Sequence, residues 1–251
     1  MAADWKGMVA VVTGGSSGIG RATAVAFARQ GARVIVAARR EAEGEETVRR
    51  IRAAGGEGSF VRTDVTREQD IAALVAKAMQ TYGRLDFAFN NAGVEGTMAP
   101  LAEQPVENYD TIFNPNVRGV FLSLKHQIPA MLKGGGGAIV NNASVAGLIG
   151  FPGASLYTAS KHAVIGLTKA AALEYAKAGI RVNAVAPGAI ESEMLDRFTK
   201  QVPRETLASM HPIGRTGEAD EIAGAVVWLC SPQASFVTGQ TLAIDGGFTS
   251  Q

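Results

Sequence analysis

Seven short strand-like runs alternating with helical stretches predict an α/β fold, a single doubly wound domain whose seven-stranded parallel sheet is flanked by helices. Three observations carry that expectation. The runs Met8 to Thr13, Arg33 to Ala38, Gly58 to Thr63, Leu85 to Phe89, Ala138 to Ala143, Arg181 to Ala186 and Thr241 to Ile244 read as strands. The segment between each pair is long enough for a right-handed crossover helix. At 251 residues, 47% of them hydrophobic, the chain can bury a substantial core.

The first strand runs into TGGSSGIG at 13 to 20 and then a helix over Ile19 to Gln30, with Ala, Val and Phe at helical spacing. Gly14, Gly18 and Gly20 let the backbone turn sharply, bring a pyrophosphate to main-chain amides and let the helix pack closely on the sheet. The helix N-terminus adds partial positive charge. A plain tight turn would also use such glycines, but a place directly after the first strand is the context of a Rossmann-type dinucleotide site. The second strand ends in AARRE, about 20 residues past the glycines, where such folds set a carboxylate on the adenosine ribose. Arg39 and Arg40 there are either a solvated basic pair or a grip for a 2′-phosphate.

Glu41 to Ala54 reads as a charged, exposed helix. Asp64 and Val65 follow the third strand, and Asp64 is placed either to accept a ligand's hydrogen bond or to cap a helix from Arg67 to Tyr82. The fourth strand delivers NNAG at 90 to 93, where Asn90 is expected to bond backbone at the sheet centre and Ala92 and Gly93 to leave room for a ribose. Pro115 interrupts a helix over roughly Asn108 to Met131 and predicts a kink beside Asn116. GGGG at 134 to 137 is a short connection. The Ala-rich helix Tyr157 to Ala178 suits packing against another helix, and His162 on it reads as a packing or interface residue. Beyond the sixth strand, PGAIESEM opens an amphipathic lid over Glu191 to His211, within a lid region at about 189–212. The helix Glu218 to Ser231 follows, with Trp228 expected in the core.

The stretch from Ser144 to Lys161 carries the chemistry. Tyr157 and Lys161 stand four apart, one helical turn from each other on one face, which puts an ammonium beside a phenol. A nearby cation favours phenolate, so the expected Tyr157 is an acid-base group working near neutrality, with Ser144 offering a second hydroxyl. Two hydroxyls and a cation suit a carbonyl oxygen. By themselves a Tyr and a Lys at this spacing also describe a solvated helix face.

Taken in order, TGGSSGIG, NNAG, Asn116, Ser144, Tyr157, Lys161 and Pro187-Gly188 resemble the classical short-chain dehydrogenase/reductase family, from Lys6 to Gly247. The resemblance implies an Asn116–Ser144–Tyr157–Lys161 catalytic set and a nicotinamide cofactor held by Gly14, Ser16, Ser17, Gly18, Ile19, Gly20, Asp64, Val65, Asn91, Ala92 and Gly93. Tyr157, Lys161, Pro187, Gly188, Ile190 and Ser192 complete that set, with Asp64 on the adenine amine and Asn116 in a proton relay. Ala38 stands where NAD-preferring members have Asp, so Arg39 and Arg40 imply NADP(H). Three positions depart from the family: Pro115, Ala143 in place of a second serine, and Ser192 in place of threonine. The implied reaction is reversible reduction of a small-molecule ketone to a secondary alcohol, and the implied assembly a homotetramer.

A net charge of +1, from 24 basic and 23 acidic residues, argues against nucleic acid or a polybasic membrane contact. The single cysteine, Cys230, fits a reducing cytoplasm and reads as a buried apolar residue. No targeting segment and no metal site are expected. Val145, Leu148, Ile149, Phe151, Leu156, Met194 and Leu195, with Glu95 the polar exception, suggest uncharged substrates of modest size. A 3-ketoacyl-carrier-protein reductase is the nearest alternative, weakened by the lack of a basic docking patch. A non-catalytic dinucleotide-sensing or scaffold protein is an alternative of another class. An extended-type epimerase is disfavoured because little chain follows the seventh strand.

Overall fold

Every strand pairing among the described residues, 5–199 and 202–250 of a computed structural model, is parallel. The strands are β1 (Val9–Thr13), β2 (Arg33–Ala38), β3 (Glu57–Arg62), β4 (Phe87–Asn90), β5 (Gly137–Asn142), β6 (Ile180–Pro187) and β7 (Thr241–Ile244). They lie in the order β3-β2-β1-β4-β5-β6-β7. The chain winds one way from β1 to β3 and the other way from β4 onward, so a crevice opens between β1 and β4 at the carboxyl edge.

Alternation along each strand feeds two cores. Val9 and Val11 of β1 join Ile139 and Val182 beneath α3 (Glu68–Tyr82), α5 (Gly119–Lys133) and α6 (Ser155–Tyr175). Ala10 and Val12 join Val140 and Val185 beneath α1 (Gly18–Arg29), α2 (Glu41–Ala53) and α9 (Ala219–Cys230). Both faces of the sheet are thereby covered, as a parallel sheet requires. Trp228 departs from its expected place and is 40% exposed. The buried side of α9 is Ile222, Ala223, Val226, Leu229 and Cys230, a helical stripe that passes to one side of position 228.

The helix expected over Asn108 to Met131 is three pieces. α4 (Val106–Phe113) passes into a π-helical turn, Asn114–Arg118, and then into α5. Pro115 has no N–H to donate back into α4, and the Gly119 N–H donates to Asn114 O across the widened turn. The predicted kink is therefore a specific wide turn, and it carries Asn116 inward to 1% exposure.

Asn90 differs from expectation in its partners. Its Nδ2 donates to Gln127 Oε1 (3.1 Å) and Asn141 Oδ1 (2.9 Å), while Gln127 Nε2 donates back to Asn90 Oδ1 at 2.8 Å. Asn141 Nδ2 continues the chain to Thr168 Oγ1 at 2.9 Å. This buried network ties β4, β5, α5 and α6 together, and each member satisfies the next. The neighbour Asn91 makes the backbone bonds instead, donating from Nδ2 to Thr13 O and Gly14 O, both at 3.2 Å.

Candidate active site

A cavity of 1170 Å³ occupies the crevice and runs from the end of β2 to the start of α6. Its dinucleotide end is built by the glycine turn. Gly14 has φ +64°, and a Cβ on Gly20 would lie 2.2 Å from Gly14 O, so only a hydrogen there lets α1 sit down on the turn. Ser17, extended at φ −158°, precedes α1 without capping it by its side chain, which leaves first-turn amides for an anion. Ser16, Ser17, Gly18, Ile19, Arg39, Arg40, Asp64, Val65, Asn91, Ala92 and Gly93 all line the cavity. A donor set of amides, hydroxyls and two guanidinium groups along a cleft of this length fits a dinucleotide. Gly20 stands behind the wall.

Asp64 does not cap α3, whose N-cap is Arg67. Its Oδ1 accepts from Thr66 N (3.0 Å) and Thr66 Oγ1 (2.8 Å). Burial works against its charge, yet these bonds and the nearby Arg39 hold its carboxyl below the usual range. Arg40 is more tightly held: Nη2 donates to Ser17 Oγ at 3.0 Å, and Nη1 lies 2.9 Å from Glu193 Oε2.

The residues expected to carry the chemistry meet at the other end. Ser144 leaves β5 in an extended conformation and its Oγ accepts from Ala146 N at 3.2 Å, which fixes the hydroxyl at the strand end. Ser144 also hydrogen-bonds Tyr157 from the first turn of α6. Lys161, 5% exposed, places Nζ 5.5 Å from the centre of the Tyr157 ring and donates to Asn142 O at 2.8 Å. Asn116 stands behind the cavity wall rather than on it. Its Nδ2 donates to Val94 O (2.9 Å) and Ser160 Oγ (3.1 Å), and its Oδ1 accepts from Val94 N at 2.8 Å. Ser160 Oγ in turn donates to Tyr157 O at 2.7 Å, so the π turn buttresses the catalytic turn of α6.

Electrostatics correct one expectation. Burial pushes the Tyr157 hydroxyl up to about 12, only partly offset by the Ser144 bond, and the Glu95 carboxylate pushes in the same direction as burial. Burial also brings Lys161 down to about 8. The ammonium is directed at the Asn142 carbonyl, and the shift of the phenol is set by burial first, then the Ser144 bond and Glu95. Burial thus favours the protonated Tyr157 hydroxyl and weakens the hold of Lys161 on its proton.

The lid is two short helices, α7 (Glu193–Phe198) and α8 (Arg204–Ser209); residues 200 and 201 of the expected lid lie outside the described residues. Ser192 caps α7, its Oγ accepting from Leu195 N at 3.2 Å and donating to Ile190 O at 3.0 Å. Arg204 pairs with both Glu191 and Asp196 and joins the two helices. Glu95, expected as a lone polar group, is paired with Arg197 at 2.6 and 3.0 Å. Val145, Phe151, Met194 and Leu195 line the cavity as expected, whereas Leu148, Ile149 and Leu156 do not. Phe198 of the lid region joins them as expected, and Met98, Leu207 and Met210 do so unforeseen.

His211 was also not foreseen. Its ring spans from Leu207 O (2.7 Å from Nδ1) to the Ala189 N–H, which donates to Nε2 at 3.1 Å. It pins the lid to the Pro187–Gly188–Ala189 turn across 22 residues of sequence. No local spacing announces such a contact. His162, by contrast, is exposed, and its Nδ1 donates within α6 to Thr158 O at 2.9 Å.

Comparison with known proteins shows the family and the fold. Residues 14–249 match a family model described as enoyl-(acyl carrier protein) reductase. The chain is 48% identical over 250 residues to a 2,5-dichloro-2,5-cyclohexadiene-1,4-diol dehydrogenase of Sphingobium indicum, covering 98% of this chain and 99% of that one. It is 50% identical over 246 residues to an A-factor type γ-butyrolactone 1′-reductase (1S-forming) of Streptomyces virginiae, covering 96% and 95%. Among solved structures, ElxO with NADP bound superposes with a TM-score of 0.91 at 35% identity, covering 97% of this chain and 99% of that one.

Proposed function

The chain belongs to the classical short-chain dehydrogenase/reductase family, and on that premise we propose that it is an NADP(H)-dependent oxidoreductase interconverting uncharged ketones and secondary alcohols, with Tyr157 as general acid. The observation that carries the reading is the meeting of Ser144, Tyr157 and Lys161 at one end of a cleft whose other end holds Arg39 and Arg40.

Ser144 holds the carbonyl oxygen by donating its hydroxyl, and Tyr157 delivers the proton to that oxygen. Bound nicotinamide supplies hydride to the carbonyl carbon, or removes it from the alcohol. Lys161 keeps a positive charge beside the phenolate that forms as Tyr157 gives up its proton. Asn116 holds the π turn and, through Ser160, the backbone of Tyr157. Val145, Phe151, Met98 and Phe198 give the substrate end an apolar lining, and the Glu95 carboxylate on it is paired with Arg197. That lining suits an uncharged ring or chain better than an acidic carrier's thioester.

Ala38 removes the carboxylate that would favour a free ribose hydroxyl, and Arg39 and Arg40 stand beside it. A charge-assisted bond from either corresponds to about one to two decades of preference for the 2′-phosphate. The test is nicotinamide absorbance over time with a panel of uncharged ketones, NADPH and NADH being supplied separately. Faster turnover with NADPH is expected, and Arg39→Ala should erase at least about tenfold of the advantage. Equal use of NADH by the unaltered protein would overturn the cofactor assignment and leave the carbonyl chemistry standing.

We also read the protein as a cytoplasmic homotetramer. Cys230 is buried, and burial pushes its thiol up to about 12, which leaves it an inert packing residue. No helix among the described residues is long and apolar enough to cross a membrane. Two sets of exposed apolar side chains support assembly, Tyr109, Phe121 and Leu173 on α4 to α6, and Trp228, Phe236 and Leu242 around β7. Light scattering should give four chains; a monomer at working concentration would refute this.

A further inference from the structure

The Arg40 guanidinium reaches two groups from outside its own neighbourhood in sequence, and they have opposite consequences. Ser17 Oγ, 3.0 Å away, belongs to the glycine turn and helps form the dinucleotide end. Glu193 belongs to the lid, at the first residue of α7, and meets Arg40 twice: Nη1 to Oε2 at 2.9 Å and Nη2 to Oε1 at 3.3 Å. A third group, Glu43 of α2, lies 3.5 Å from Nη1. The lid closes over this end, since a Cβ on Gly18 would already lie 3.2 Å from Ser192 Cβ.

We propose that Glu193 is a specificity-determining residue for the cofactor: paired with Arg40, it competes with the 2′-phosphate and moderates the preference for NADP(H) over NAD(H). The inference rests on the reading of Arg39 and Arg40 as the 2′-phosphate grip. Two effects act in the same direction. A phosphate that takes the Arg40 guanidinium must displace the bidentate carboxylate, and a carboxylate that stays nearby repels the incoming dianion. A cofactor with a free 2′-hydroxyl has no group that needs Arg40 and leaves the pair intact. Because Glu193 starts α7 while Arg197, one turn on, is paired with Glu95, the same short helix is tied to the cofactor end and to the substrate end. Among the described residues Arg39 has no such tie, and it lies near Asp64.

The measurement is the dissociation constant of NADPH and of NADH for the full chain, by fluorescence titration without substrate, at low ionic strength. Glu193→Gln keeps the size of the side chain and removes its charge. Both partners are about half exposed, so the pair is of the exposed kind, and releasing it should tighten NADPH about two- to fivefold and leave NADH unchanged. In an Arg40→Ala background the same substitution should tighten NADPH clearly less, since only the repulsion of the dianion remains to be relieved. Equal tightening of both cofactors would show a general effect of the lid and overturn the proposal, as would no change in either. A gain that persists in full without Arg40 would assign the effect to repulsion alone and overturn the role of the pair. If neither Arg39→Ala nor Arg40→Ala weakens NADPH relative to NADH, the cofactor reading itself fails and the inference falls with it.

Discussion

Tyr157→Phe should lose about 10² to 10⁴ in kcat for ketone reduction and still bind NADPH. The substitution removes one hydroxyl from a ring that remains packed in the first turn of α6, so the cleft keeps its shape. What disappears is the phenolic hydroxyl held against Ser144, and with it the group proposed to neutralise the alkoxide as hydride arrives. Ser144 can still hold the oxygen but would have to draw its own proton from solvent. Retained binding separates this from a collapsed site, and fluorescence titration reads it directly. Near-normal turnover in the variant would sink the assignment of the acid.

The second large effect is that of Lys161→Ala, expected to lower kcat by about 10² to 10³, the loss typical of one preorganised electrostatic partner. Tyr157, raised to about 12 by burial, is reluctant to part with its proton, so the phenolate it leaves depends on a neighbouring positive charge. Lys161 supplies that charge only while protonated. Burial has lowered it to about 8, so the ammonium prevails below that pH and the neutral amine above it. For the unaltered protein, kcat/KM for reduction should therefore fall as pH rises through about 8. In Lys161→Ala that alkaline limb should be absent. A limb of unchanged position in the variant would mean that another group titrates there, and the charge role of Lys161 would be lost.

Much of this was legible along the chain because it depends on short spacings. β2 and β7 occupy the residues expected of them, and the other strands and most helices differ by one to three residues at an end. β4 is a typical case: Leu85 is fully buried but lies before the ladder, and the strand begins only after Asp86, whose Oδ2 accepts from Val9 N at 2.8 Å. An apolar side chain marks burial, while a ladder is defined by backbone pairing, and the two need not start together. The kink at Pro115 was also legible, since the missing N–H is a property of one residue. Its form was less so, because a widened turn is stable only with Asn116 held between Val94 and Ser160.

By itself, the order of motifs determined the fold class, the glycine turn, the Ser144, Tyr157 and Lys161 constellation and the basic end of β2, all written in residue identity and local period. Tertiary structure alone decided the rest. Whether Tyr157 is raised or lowered depends on how deeply the closed cleft desolvates it against how near the ammonium comes, and both are distances across elements. The partners of Asn90, Glu95 and Glu193, and the Ala189 partner of His211, lie between 22 and 153 residues away, where sequence spacing carries no information about contact. Trp228 lies outside the buried stripe because the angle at which α9 meets the sheet selects which side chains are covered, and hydrophobicity alone does not set that angle.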